Sequence, residues 1–391
     1  YKYDYSQLGE TWSTPRVFRM PVKKDASYLE DKYVAVMGSG MGAGSNVFII
    51  NLEDSDDPGS IVGSKENKGP IKIIDTDPEF PDTSTGSNIA NAIPGTPIVV
   101  TPDSAPNIPW RGAMVYVNDL EGKITKINLS NSTENSAELY EKTTLFKLNS
   151  SKDNGRYGYF TMDATIGEDS NEFWLFGGTG NFLRVNESEG PMDNILYGFK
   201  DFDYPNFKSD HKIPRQDSSG WEAEAIQNIN IANDVDDAAI CNDTTLDEDG
   251  RFCPTSSERG WVVHLDDLTD NKYRKLTGTP TIFKGRVYFP IYKPPDSSNK
   301  CSLGSAYICS EDDECGTNIS SEIARAEGSS IEDDESCYFV RDGILSELVI
   351  FGDTLYGNVA GPSDTQDTLV SIFGGTGDSG SRSKSWRQQS F

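Results

Sequence analysis

The chain has 391 residues, and 62 acidic against 35 basic side chains give it a formal net charge of -27. Because like charge repels phosphate groups, nucleic acid and anionic bilayers are excluded as expected partners, and cations are favoured. A hydrophobic content of 35% can fill a core, and no apolar run reaches the roughly 18 residues of a membrane span. The sequence opens without a start Met or signal segment, so we expect the C-terminal part of a longer chain.

Pairs of strand-like runs recur along the chain, with almost no helical periodicity between them. A small residue and a proline often open the first run of a pair, and glycines often close the second, which is typical of propeller blades. This pattern predicts one all-β domain over residues 1–391, a modified β-propeller of about six or seven blades. The pairs span residues 13–52, 95–129, 163–199, 278–290 and 345–358.

Two polar, acidic segments interrupt this pattern, and together they hold all six cysteines. We predict that residues 201–260 and 293–340 are insertions between blades. The even number of cysteines, without a Cys-x-x-Cys pair, favours disulfides in an oxidising compartment over zinc or haem sites.

The cysteines fall into two groups. Cys241 and Cys253 lie apart from the rest and bracket a polar loop of 11 residues, so we predict that they pair. The other four allow three connectivities, which the sequence leaves open. They are Cys301, Cys309, Cys315 and Cys337.

The chain ends with a glycine- and serine-rich stretch, residues 374–384, followed by Ser385-Trp386-Arg387. A propeller needs its ends tied together, so we predict a closing strand at residues 385–388 that buries Trp386. It would pair near the blade of Trp12–Phe18 or near that of Val349–Phe351. A tail without regular structure is the alternative.

Six short motifs occur in order along the chain. They are Leu8–Pro15, Gly38-Ser39-Gly40, the turn Asn118–Gly122, Phe176–Gly180, Gly260-Trp261 and Ser385-Trp386-Arg387. Together they resemble the C-terminal domain of PilY-type proteins, the tip-associated adhesins and assembly factors of bacterial type IV pili. The resemblance implies a propeller similar to quinoprotein dehydrogenases.

The same resemblance implies a calcium loop, which corresponds here to Val99–Pro109. Asp103 is its one carboxylate, while Thr101 and Ala105 occupy liganding places. Calcium prefers six to eight oxygens with several carboxylates, so we expect the domain to keep its fold without calcium.

Other acidic clusters could hold calcium instead. Asp243, Asp247 and Asp249 lie inside the Cys241–Cys253 loop, where a disulfide would preorganise their oxygens, and a solvated acidic turn is the competing interpretation. The contiguous runs Glu311–Glu314 and Glu332–Glu335 are expected to be solvated charge, because adjacent carboxylates on a strand point to opposite faces.

The resemblance implies a non-enzymatic module that supports pilus biogenesis, extension–retraction control and surface adhesion. Its expected partners are minor and major pilins and a host or abiotic surface, and its expected location is the pilus tip, the periplasm or the outer membrane. A quinoprotein-like dehydrogenase or another ligand-binding propeller is the alternative. Neither His211 nor His264 lies beside a nucleophile motif, and His264 is expected to be a packed or edge-strand histidine.

Overall fold

The computed structural model describes the chain in separate stretches. They are residues 5–23, 29–42, 44–53, 58–62, 70–72, 89–102, 107–132, 138–148, 150, 152–190, 192–207, 216–217, 220–221, 260–266, 272–296, 302–331, 336–361 and 368–374. The chain forms two compact units, which we describe separately. Unit 1 holds residues 1–151 and 203–228, and unit 2 holds residues 152–202 and 229–391.

The described part of unit 1 contains two four-stranded antiparallel sheets, in each of which neighbouring strands are consecutive in the chain. The first sheet consists of β1 (Arg16–Lys23), β2 (Leu29–Gly38), β3 (Asn46–Asn51) and β4 (Ile71–Lys72). The second consists of β5 (Ile98–Val100), β6 (Gly112–Asn118), β7 (Lys123–Ser130) and β8 (Lys142–Lys147). Two short strands, β12 (Gln216–Asp217) and β13 (Gly220–Trp221), pair with each other.

The core of unit 1 follows from the two-residue period of its strands. On β1, Phe18, Met20 and Val22 are buried while Val17 and Arg19 are exposed. The buried face packs against β2, β3 and the second sheet in one apolar cluster. Every residue of β6 and β7 is buried, so these central strands are covered on both faces.

The described part of unit 2 contains three larger sheets. The third sheet has β9 (Asp163–Ile166), β10 (Phe173–Gly178), β11 (Ile195–Asp201) and β14 (Gly260–His264). The fourth has β15 (Lys275–Leu276), β16 (Thr281–Ile282), β17 (Arg286–Lys293), β18 (Ser305–Asp312) and β19 (Tyr338–Asp342). The terminal sheet has β20 (Ile344–Leu345), β21 (Val349–Phe351), β22 (Thr354–Ala360) and β23 (Leu369–Phe373).

A short helix, α1 (Ser320–Ala326), lies against β18, β19 and β23. Its Ile323 joins the apolar cluster between the fourth and terminal sheets, beside Tyr288, Leu355 and Ile372. The sequence analysis did not predict this helix, because seven residues are too short to show helical periodicity. None of the helices in the described stretches is long and apolar enough to span a membrane.

The strand pairs predicted from sequence correspond to neighbouring strands of the five larger sheets. The placement of the two insertions needs correction. Residues 202–259 lie between β11 and β14 of one sheet, and residues 293–340 include the whole of β18. Six of the eight residues of β18 are buried, so it is a central strand. The sequence analysis missed it because the strand ends in acidic residues and lies in a polar part of the sequence. The extent of the domain and the blade number stay predictions, and the predicted closing strand, residues 385–388, lies outside the described residues.

Candidate functional site

The candidate calcium ligands considered in the sequence analysis, Asp103, Asp243, Asp247 and Asp249, all lie outside the described residues. Within the described stretches, no group of three or more His, Cys, Asp or Glu side chains is arranged to hold a metal ion.

The structure shows one disulfide among the four cysteines whose pairing the sequence left open. Cys309 on β18 is bonded to Cys337 just before β19, which links the two strands across residues 313–337. Cys315 is also disulfide-bonded, and its partner lies outside the described residues, as do Cys241, Cys253 and Cys301.

The turn Asn118–Gly122 forms a hairpin between β6 and β7, as predicted. The backbone N–H of Gly122 donates to the carbonyl of Asp119 at 2.9 Å, and the N–H of Lys123 donates to the Asp119 carboxylate at 2.9 Å. Gly122 has a φ of +71°, and a Cβ there would lie 2.6 Å from Leu148. Only glycine fits this corner.

This turn carries a buried charged cluster. The Lys123 ammonium contacts Glu121 at 2.5 Å and Asp119 at 3.5 Å, and all three side chains are at most 2% exposed. The Asn91 amide donates to both carboxylates, at 3.0 and 3.2 Å. One cation and one amide thus compensate two buried carboxylates and tie residue 91 to the hairpin. These contacts stabilise the hairpin and its attachment to residue 91.

A second polar cluster lies at one end of the third sheet. His264, the last residue of β14, places Nδ1 2.5 Å from Oδ1 of Asp193. Arg156 contacts the other oxygen of Asp193 and donates through Nε to its carbonyl at 2.7 Å. Burial acts to raise the pKa of Asp193, but the hydrogen bond from His264 and the charge of Arg156 outweigh it and lower that pKa.

This cluster orients a histidine without completing a catalytic triad. Nε2 of His264 is buried and has no hydrogen-bond partner among the described residues. A triad would need a hydroxyl or thiol at that nitrogen. The His264 side chain lies on an edge strand with Asp193 beside it, in line with the expectation from sequence.

The same end of the sheet is joined to the fourth sheet by a buried ion pair and by hydrogen bonds to backbone carbonyls. Arg274 donates from Nε to Asp266 at 2.7 Å, and its carbonyl accepts from Asn194 at 2.9 Å. Beside it, Lys275 donates to the carbonyls of Arg184 and Glu187 at 3.1 and 3.0 Å. Burial lowers the pKa of Lys275 to about 8. These contacts hold segments that are distant in sequence.

The acidic turn after β18 contradicts the expectation of solvated charge. Glu311 is fully buried and Asp313 is 9% exposed. The Glu314 carboxylate accepts the backbone N–H groups of Asp169 and Ser170 at 2.8 and 2.9 Å, and Asp312 accepts those of its own turn. In this turn the carboxylates accept hydrogen bonds from backbone N–H groups that would otherwise bond to water. The contiguous acidic sequence alone does not indicate such bonds.

The pKa of Asp313 is raised to about 7. Burial is the largest cause, and the negative charges of Asp312, Glu314 and Asp169 add to it. The carbonyl of Asp313 accepts the indole N–H of Trp261 at 2.9 Å, so this turn also holds a core aromatic ring.

Comparison with known proteins identifies the fold. No family model matches the chain, and no curated protein matches it. Among solved structures, the crystal structure of the Pseudomonas aeruginosa PilY1 C-terminal domain is similar, with 14% identity and a TM-score of 0.55. The match covers 95% of this chain and 74% of that chain. The likeness confirms the predicted fold class, an all-β modified propeller, and supports the PilY-type resemblance at the level of the fold.

Proposed function

We propose that this chain is a non-enzymatic module of a bacterial type IV pilus, which acts at the pilus tip or in its assembly. The observation that carries the proposal is the likeness to the PilY1 C-terminal domain along almost the whole chain. Fold alone does not give function, so the order of the six sequence motifs is the second support. We place the protein at the cell surface or in the periplasm, with pilins and an external surface as partners.

The polar clusters of the described residues support a binding role. Lys123, Asp193, Arg274 and Glu314 each bond to neighbouring parts of their own unit. Groups used in this way hold a scaffold in shape, and a rigid scaffold presents its loops to a partner. Recognition would then reside in those loops.

Localisation on isolated filaments tests the proposal. Pili sheared from cells that produce this chain would be labelled with a gold-conjugated antibody against it and examined by electron microscopy. We expect gold at filament ends, and fewer pili after deletion of the gene, restored by complementation. Pili that form normally without the chain and never carry the label would contradict the proposal.

A spectroscopic control separates this role from the quinoprotein alternative. Purified protein would be scanned for quinone absorbance, and pilins would be sought among copurified proteins. Copurified pilins without quinone absorbance are expected. Stoichiometric quinone with dye-linked dehydrogenase activity would favour the enzyme.

A further inference from the structure

The buried cluster at the β6–β7 hairpin brings an amine next to a side-chain amide. Nζ of Lys123 contacts Oε2 of Glu121 at 2.5 Å, and Nδ2 of Asn91 donates to the same oxygen at 3.2 Å. The same two nitrogens also lie 3.5 and 3.0 Å from one oxygen of Asp119, Oδ2. Two shared oxygens therefore hold the Lys123 amine close to the Asn91 amide.

The four side chains of this cluster are shielded from water. Glu121 is fully buried, Asp119 and Lys123 are at most 2% exposed, and Asn91 is 7% exposed. Burial removes the hydration that stabilises an ion pair, so transfer of the ammonium proton to a carboxylate becomes easier. The amine that results is a nucleophile, whereas an ammonium group is not.

The carbonyl end of the Asn91 amide accepts two backbone hydrogen bonds. The N–H of Ala92 donates to Oδ1 of Asn91 at 2.9 Å, and the N–H of Glu121 donates to the same oxygen at 3.4 Å. These donors lie where negative charge develops when a nucleophile adds to the amide carbon. A nucleophile, a proton carrier and two oxyanion donors thus surround one amide carbon.

We propose that Lys123 forms an intramolecular isopeptide bond with Asn91, with Glu121 as the proton carrier and ammonia as the product. The bond is an amide between two side chains, and it joins the segment before β5 covalently to the β6–β7 hairpin. The contacts described above are those of the two side chains before they react. The bond does not depend on the proposed function.

The groups of the cluster balance the reaction. Glu121 takes a proton from the Lys123 ammonium, and the free Nζ attacks Cγ of Asn91, which moves the carbonyl electron pair onto Oδ1. Glu121 then gives its proton to Nδ2 and takes one from Nζ. The electron pair on Oδ1 returns, the Cγ–Nδ2 bond breaks, and ammonia leaves. Glu121 ends protonated, so the cluster keeps its single negative charge, which lies on Asp119.

Mass spectrometry of the natural full chain tests the proposal. After reduction of the disulfides, we expect the intact mass to be lower than that calculated from the sequence by one ammonia, about 17 Da. A protease digest should contain a branched peptide in which Lys123 is linked to Asn91. An intact mass equal to the calculated one, or a loss of ammonia that maps to another asparagine, would overturn the proposal.

Two lysine variants separate the reaction from the structural role of the cluster. Lys123→Arg keeps a positive charge beside the two carboxylates but removes the amine, so it should fold and have its full calculated mass. Lys142→Met, at a half-buried position on β8, should still lose ammonia. A loss of ammonia in Lys123→Arg, or none in Lys142→Met, would overturn the proposal.

A matched pair of acid variants tests the role of Glu121. Glu121→Gln and Asp119→Asn each leave one carboxylate beside the buried Lys123 ammonium, so both should fold, as judged by circular dichroism. We expect the branched peptide in Asp119→Asn, which keeps the proton carrier, and not in Glu121→Gln. Equal yields of the branched peptide in the two variants, or the reverse order, would overturn the assignment of Glu121.

Discussion

Ionisation of Asp313 is expected to destabilise unit 2 at alkaline pH. Its carboxyl group is buried next to Asp312 and Glu314, and its pKa is raised from 3.8 to about 7. Below about pH 4 this group is protonated in both the folded and the unfolded states. As the pH rises from 4 to about 7, the unfolded state loses the proton first, so stability falls, and above 7 the loss is complete.

The size of the effect follows from the shift. A difference of about three pKa units corresponds to roughly 4 kcal/mol, at 1.36 kcal/mol for each unit. Relaxation of the turn and entry of water reduce the penalty of a buried charge, so we expect about half of this value or more. Asp313→Asn keeps the shape of the side chain and removes the ionisation.

Urea unfolding at about pH 4 and pH 8, followed by tryptophan fluorescence, measures this effect. Trp261, one of six tryptophans, donates to the Asp313 carbonyl, so part of the signal comes from a ring bonded to the turn. We expect Asp313→Asn to be more stable than the natural protein by about 2 kcal/mol or more at pH 8, and to lose that advantage at pH 4. Asp296→Asn, at an exposed position of unit 2, is the matched control and should show no such dependence.

An equal stability difference at the two pH values would refute the reasoning. So would a variant that is less stable at pH 8, because the ionised carboxylate would then make favourable contacts. The same pH dependence in Asp296→Asn would assign the effect to net charge instead of burial.

Three further predictions follow from charge, cysteine pairing and metal. Lys123→Met should destabilise unit 1 by about 3 to 5 kcal/mol, since it leaves two buried carboxylates without their cation, whereas Lys142→Met, at a half-buried position, should cost much less in thermal unfolding. Peptide mapping without reduction should find Cys315 bonded to Cys301, and a Cys315 bond to another cysteine would contradict this. Chelator should leave the melting temperature unchanged in the natural protein and in Asp103→Ala. A strong decrease in the natural protein alone would indicate that the loop containing Asp103 binds calcium.

The sheets were predictable because their signals are local. Gly95–Val100, the turn Asn118–Gly122 and the strand after it show alternation and glycine corners within a short window. Hairpin neighbours need no information beyond that window, so the pairing of β5, β6 and β7 follows directly. The fold class required only the repetition of this pattern.

Most contacts of the polar clusters were not predictable, because they join residues far apart in sequence. Asp193 meets Arg156 and His264, and Glu314 meets Asp169 across 145 residues. The sequence around a single histidine in a strand, or around a run of four acidic residues, does not indicate which distant residues contact them. One local signal was present but unused: Lys123 comes directly after a glycine corner with two acids, in a hairpin of otherwise strand-forming residues.

The long connections of the chain occupy the same topological position in several sheets. Residues 52–70, 202–259 and 313–337 each connect the third strand of a sheet to its fourth. In these three sheets the connections before the third strand are shorter than the one after it, and length added after the third strand leaves the register of the earlier strands unchanged. Both predicted insertions therefore fall largely on a connection between a third and a fourth strand. The connection 313–337 is nevertheless part of the core, because its α1 places Ile323 in the apolar cluster of unit 2. Shortening it across α1 should therefore lower the stability even while Cys309 stays bonded to Cys337.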